Sequence, residues 1–220
     1  MSQASIDISI RTLAGEYLER FKKQTEDSGV ETGDSHGSRF LIHKVFGLTE
    51  EEGRLIDILQ KKGEIFSKYA SLFLETAALW CFREKFPEAA SCRIRNTEGR
   101  RPKAFEIDYL VGKYAIQIKG QDASTAIDHV AKENRRIKVL ADAGYVPIRV
   151  AFCYPNNLQA LQIQQTIKTS YADVGGQYYF GEGAWSYVRT KTGVDLKAIL
   201  EELAEERMMN NVAERWLRSE

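Results

Sequence analysis

The chain has 220 residues, 43% of them hydrophobic and 28% charged, and its 31 basic and 31 acidic side chains cancel. Wholesale disorder is excluded by that composition, and neutrality removes any whole-molecule field that would announce a polyanionic partner. No stretch of the N-terminus "MSQASIDISIRTLAGEYLERFKKQ" resembles a signal-peptide core, and no later segment reaches membrane-spanning length, so a cytoplasmic protein without a membrane partner is expected. Cys81, Cys92 and Cys153 lack zinc-ribbon spacing and are expected to be reduced and structural; His36, His43 and His129 are too scattered for a histidine-rich metal site.

Ile10, Leu13, Ala14, Tyr17, Leu18 and Phe21 recur at helical spacing and predict an amphipathic helix over 5–25. "EDSGVETGDSHGSR", 26–39, has almost nothing to bury and reads as a loop. "FLIHKVFGL" then leads into "TEEEGRLIDILQKKG", where Thr49 followed by Glu52 is a capping box opening a helix. A further, longer helix is expected over about 64–86, ending before Pro87. "SCRIRN" alternates as a strand, "TEGRRP" is a polar turn, and "FEIDYLVGKYAIQIKG" is a hairpin turning near Val111–Lys113. "ASTAIDHVAKENRRIKVLADAG" is a helix stopped by Gly144, and "YVPIRVAFCYP" a buried strand. A helix near 156–169, an aromatic hairpin-like stretch "QYYFGEGAWSYV" and a charged helix over 194–218 complete the chain. The central order is helix, strand, strand, strand, helix, strand. Tight turns make the first strands antiparallel, and the long link within 114–152 permits a parallel crossover, giving an α/β fold with a small mixed sheet flanked by helices.

The hairpin carries the chemistry. Asp108 lies across from Gln117, within a residue or so of register, and Gln117 shares its face with Lys119, so three polar groups converge among Ile107, Ile116 and Ile118. Burying such groups is costly unless they are paired or hold a ligand. One reading is an Asp–Lys ion pair at a sheet edge with Gln117 satisfied by backbone. The other is a divalent-metal site: a carboxylate and an amide oxygen are hard ligands of the kind Mg²⁺ accepts, with Lys119 orienting a water and neutralising a phosphate.

This arrangement resembles the PD-(D/E)xK nuclease superfamily, whose core has the same element order. By that resemblance Asp108 matches the metal-binding aspartate, Gln117 the acidic member of the (D/E)xK triplet and Lys119 its lysine. Gln117 departs from the acidic pattern, as in the QxK version of Mrr-type nucleases, which implies weaker Mg²⁺ binding or a compensating carboxylate. Ile107 departs too, standing where the motif has proline. Glu75 projects from an apolar helix stripe beside Leu72, Ala78 and Leu79 and is the candidate third metal ligand, with a boundary residue bent to water as the alternative; Glu106 is held in reserve. The resemblance covers about 64–153. The starts "SIRTLAGEYLERFKKQ" and "SRFLIHKVFGLTEEEGRLIDILQKKG" are similar to ApaLI-like restriction enzymes. A single nuclease domain over 1–220 is expected, with a restriction-endonuclease-like αβββαβ core, an N-terminal helical region over 1–63 and a C-terminal embellishment over 154–220.

Between residues 90 and 149 twelve Lys or Arg face seven Asp or Glu, against nineteen and twenty-four elsewhere. Arg93, Arg95, Arg100, Arg101 and Lys103 precede the hairpin, while Lys132, Arg135, Arg136 and Lys138 follow it. As a cluster they suit a DNA backbone; singly, each also fits a solvated face with Glu98, Glu133 and Asp142 as partners. The aromatics of 171–190 suit either base stacking or the core of an extra hairpin. The resemblance implies a Mg²⁺-dependent type II restriction endonuclease, a homodimer cutting double-stranded DNA at a short palindrome, with a cognate DNA methyltransferase in the same system. The rivals are a DNA repair or recombination nuclease of the same fold and a catalytically degenerate DNA-binding protein, for which Gln117 is the mark.

Overall fold

The structure, a computed structural model, describes residues 3–30, 44–99, 101–121, 127–153 and 158–217. Along them run α1 (Gln3–Val30), α2 (Glu50–Lys85), β1 (Ala90–Arg95), β2 (Ala104–Val111), β3 (Tyr114–Gln121), α3 (Ile127–Asp142), β4 (Val146–Cys153), α4 (Leu158–Asp173), β5 (Gln177–Phe180), α5 (Glu182–Thr192) and α6 (Leu196–Leu217). The chain divides into two compact units, Thr12–Phe73 and Met1–Arg11 with Leu74–Glu220.

In the first unit α2 opens on the expected capping box. The Glu52 amide donates to Thr49 Oγ1 at 3.2 Å, and the Thr49 amide returns a hydrogen bond to Glu52 Oε2 at 2.8 Å. The bonds that the Thr49 amide and hydroxyl donate to Glu52 Oε2 hold that carboxyl below its usual range. Rings of α1 and α2 meet edge to face, Tyr17 against Tyr69 and Phe73, and Phe21 against Phe66. Two sequence boundaries move. The helices expected on either side of Gly63 are one helix of 36 residues. One glycine costs about 1 kcal/mol against alanine, and no proline interrupts the run. Of the loop expected over 26–39, residues 26–30 are helical, because α1 continues to Val30; residues 31–39, with the following "FLIH", lie outside the described residues.

The second unit is built on a five-stranded sheet in the order β1-β2-β3-β4-β5. The first three strands are antiparallel neighbours, and β3–β4 and β4–β5 are parallel, so the sheet is mixed as expected. One layer of helices covers each face. On one side Ile107 and Ala115 pack with Leu140 of α3, and Ile137 of α3 joins Ile167 and Tyr171 of α4 against Tyr178. On the other, Phe82 of α2 lies against Tyr109 at 5.8 Å and against Tyr187 of α5 at 6.3 Å, and Tyr187 stacks on Tyr179 at 4.3 Å. Arg11 ties the first helix to α6 through Glu202 and Glu206. The helix α3 stops at Gly144, whose φ of 81° only glycine adopts freely.

The aromatic stretch near 177–188 is not a hairpin. Only "QYYF" is a strand, parallel to β4, and the chain turns at Gly181 into α5. Ala184, Tyr187 and Val188, at helical i, i+3, i+4 spacing, form its buried face. Tyr171, Tyr178 and Tyr187 are therefore core residues, not a surface for stacking bases.

Two glycines test this packing in opposite directions. A Cβ at Gly63 would meet nothing within 4 Å, whereas one at Gly176 would lie 2.6 Å from the Pro147 carbonyl oxygen. Thermal melts followed by circular dichroism should show Gly63→Ala more stable by about 0.4–1 kcal/mol and Gly176→Ala less stable by about 1–3 kcal/mol.

Candidate active site

The local geometry begins with a bulge. Ala90 pairs with Leu110 and Cys92 with Ile107, so Ser91 alone stands opposite both Asp108 and Tyr109. The extra residue re-aims the side chains after it. Ile107 joins the Leu140 cluster, while Tyr109 turns to Phe82 on the other face and donates its hydroxyl proton to the Phe86 carbonyl. Asp108 sits at the crossover between the two.

The hairpin then opens. Its paired register runs from Val111–Tyr114 to Tyr109–Ile116. Had pairing continued, the next N–H groups on that edge of β3 would belong to Ile118 and Gly120. Both are taken by carboxylates: Ile118 donates to Asp108 Oδ2 at 2.8 Å, and Gly120 donates to Glu75 Oε1 at 3.1 Å. Two carboxylates from different elements thus replace the backbone of β2 at amides two residues, about 7 Å, apart along the strand.

Gln117 completes this edge. Its Nε2 donates to Asp108 Oδ2 at 3.0 Å. A carboxylate accepts, so the amide meets Asp108 through its nitrogen and Oε1 takes no part in this bond. Gln117 is 5% exposed, and Oε1 is buried without a hydrogen-bond partner. A buried acceptor in that state carries a desolvation penalty that a bound cation would remove. Lys119 Nζ lies 3.8 Å from Glu75 Oε2 and keeps a partly open face. Burial pushes the Asp108 carboxyl above its usual range, against the opposing pull of the Ile118 hydrogen bond and the charges of Lys119 and Arg136. Asp108, Gln117, Lys119 and Glu75 are thus joined around one strand edge. Glu106 is elsewhere: it is exposed, 4.0 Å from Arg93.

Among the basic residues, Arg93, Arg95, Arg101, Lys103, Lys132 and Arg135 are exposed. Arg100 lies outside the described residues. Lys138 pairs with Glu98 at 2.6 Å, as a solvated face would have it. Arg136 is drawn inward, its side chain 13% exposed, with NH1 3.4 Å from Glu133 Oε2 and the guanidinium 5.7 Å from the Phe105 ring centre. Glu133 is buried rather than a solvated partner. Its Oε1 accepts from the Tyr171 hydroxyl at 2.8 Å and forms an ion pair with Arg149 NH1, also at 2.8 Å. The sequence reading overlooked this cluster, although Arg149 offered a signal as a lone cation within a strand of consecutive buried residues.

The raised Asp108 value predicts a stability signature. A carboxyl whose folded pKa exceeds its unfolded one binds its proton more tightly when folded. Its contribution favours folding at acid pH and is lost as pH rises through the folded value. At neutral pH, without metal, Asp108→Asn should therefore melt higher than the parent. The difference should shrink as pH falls toward the ordinary carboxyl value of 3.8. Parallel melts of both proteins across that range provide the check.

No curated protein and no solved structure matches the chain. A family model described as ApaLI-like restriction endonuclease matches residues 1–205, nearly the whole sequence. That match agrees with an acidic and basic site at the opened end of a mixed sheet, and the chain belongs to the ApaLI-like restriction endonucleases, nucleases that hydrolyse DNA.

Proposed function

We propose that this protein is a Mg²⁺-dependent type II restriction endonuclease of the PD-(D/E)xK kind, cutting both strands of duplex DNA at a short palindromic sequence. The observation that carries this reading is the buried, unpartnered Oε1 of Gln117 beside Asp108, with Glu75 and Lys119 on the same strand edge. Among the described residues no three His, Cys, Asp or Glu gather to hold a metal. The donors on offer are two carboxylates and an amide oxygen, a hard-oxygen set that fits Mg²⁺ and leaves room for water and phosphate oxygens.

In this account Asp108, Glu75 and Gln117 through Oε1 hold the ion. Bound there, Mg²⁺ would supply a Lewis acid for the phosphodiester and a more acidic water. Lys119 orients the attacking water and neutralises charge gathering on the phosphate oxygens. Glu75 serves twice, as ligand and as the anion beside Lys119. A neutral Gln117 leaves one negative charge fewer than a third carboxylate would, so the enzyme requires more Mg²⁺ than an all-carboxylate site.

Arg93, Arg95, Arg100, Arg101, Lys103, Lys132 and Arg135 bind the DNA backbone in this reading, supported by their clustering on both sides of the site in sequence and by the exposure of those described. A homodimer fits a palindromic target, since two-fold protein symmetry matches two-fold sequence symmetry. No helix among the described residues is long and apolar enough to cross a membrane. A cytoplasmic enzyme with a cognate methyltransferase protecting host DNA is consistent with that and with the family.

Digestion of mixed-sequence duplex DNA with Mg²⁺ should give discrete fragments whose sequenced ends share one motif. Cutting that follows DNA structure rather than sequence would favour a repair nuclease. Asp108→Ala and Lys119→Ala should abolish cleavage while retaining duplex binding, and full activity in either contradicts the assigned site. In Gln117→Ala the Mg²⁺ concentration for half-maximal rate should rise about tenfold or more. Lys132→Ala and Arg135→Ala should each weaken duplex binding and lower the salt slope by about 0.9, leaving the single-turnover rate at saturating enzyme unchanged.

A further inference from the structure

The buried cluster behind the site has a feature that fold stability does not explain. Glu133 is held by two neighbours, Tyr171 of α4 and Arg149 of β4, and Arg149 is the register partner of Gln117. With Glu133 fixed in this way, its other oxygen meets Arg136 one helical turn away on α3. That guanidinium also lies over the ring of Phe105, three residues before Asp108 on β2. Arg136 is therefore clamped between α3 and β2, and its charge acts on Asp108 alongside that of Lys119. Its Nε–H is nevertheless buried without an acceptor. A fixed guanidinium with an unused donor is built to receive an oxyanion.

We propose that Arg136, aimed by the buried carboxylate of Glu133, is a second cation of the cleavage site and receives a non-bridging oxygen of the scissile phosphodiester. This rests on the assignment of Asp108, Gln117 and Lys119 as the site. It gives Arg136 a role different from that of exposed Lys132 and Arg135 on the same helix: those contact the backbone and set affinity, whereas Arg136 acts where charge develops. Glu133 is then a positioning residue, working through Arg136. Buried ion clusters are weak sources of stability and better suited to fixing geometry.

The test compares Arg136→Gln, Arg136→Lys and Asp108→Asn with the parent in two assays. One is single-turnover cleavage of a cognate duplex at saturating enzyme and Mg²⁺; the other is binding of that duplex in Ca²⁺. Arg136→Gln should cut about 100-fold more slowly with duplex affinity within about threefold of the parent, since only one phosphate contact is removed. Arg136→Lys should recover about tenfold of that loss, because the charge returns without the fork. A parental rate in Arg136→Gln overturns the proposal, as does a loss of duplex binding that matches the loss of rate. If Arg136→Gln fails to fold by its thermal melt, Arg136→Lys decides alone: about a tenfold slower rate at unchanged affinity supports the role, and a parental rate overturns it. A dead Asp108→Asn beside a fully active Arg136→Gln would reject Arg136 and leave the site standing. An active Asp108→Asn would reject the site itself.

Discussion

The side of β3 that faces β2, past the point where the two strands part, is the constraint on which the site depends. A strand leaving its partner exposes N–H groups that burial makes costly unless they are satisfied. Here Asp108 and Glu75 satisfy them, and in the function proposed the same two carboxylates also hold the metal. The backbone fixes one oxygen of each group, which turns two flexible acids into a preorganised pair. The bulge at Asp108–Tyr109 is what makes this possible, since it frees Asp108 from the regular alternation while Tyr109 stays anchored to α2.

The same edge is also poorly served without a ligand. Burial pushes the Asp108 carboxyl above its usual range, and Gln117 has a buried oxygen with nothing to bond. Sites that store such cost are where function is sought, because a ligand that relieves it gains affinity from the relief. The Glu133 cluster extends the logic to the opposite helix layer. There Glu133, paired with Arg149, stands 3.4 Å from the Arg136 guanidinium of α3, and buried ion pairs of this kind are weak sources of stability.

Much of this was legible in the sequence, for definable reasons. The order from α2 to β4 followed from periodicity and turn residues, and the Thr49–Glu52 box and Gly144 are local signals that act the same way in any context. Asp108, Gln117 and Lys119 stood out because polar groups in an apolar hairpin are expensive, and Glu75 because an acid on an apolar stripe is. What escaped depends on tertiary context. Gly63 read as a boundary because its cost is visible locally while the helix formers on both sides outweigh it. The "GEGAWSYV" segment hid a helical face behind glycines and aromatics. The bulge has no sequence signature, and Glu133 looks like any helical surface acid until Arg149 and Tyr171 are brought to it.

The account's central claim is that Gln117 and Asp108 meet a divalent cation together. Crystals soaked in Mn²⁺, with anomalous diffraction recorded at the manganese edge, test it directly. The account predicts a peak about 2.1 Å from both Gln117 Oε1 and an Asp108 carboxylate oxygen. A metal bound elsewhere, with Gln117 Oε1 hydrogen-bonded to protein, would contradict it.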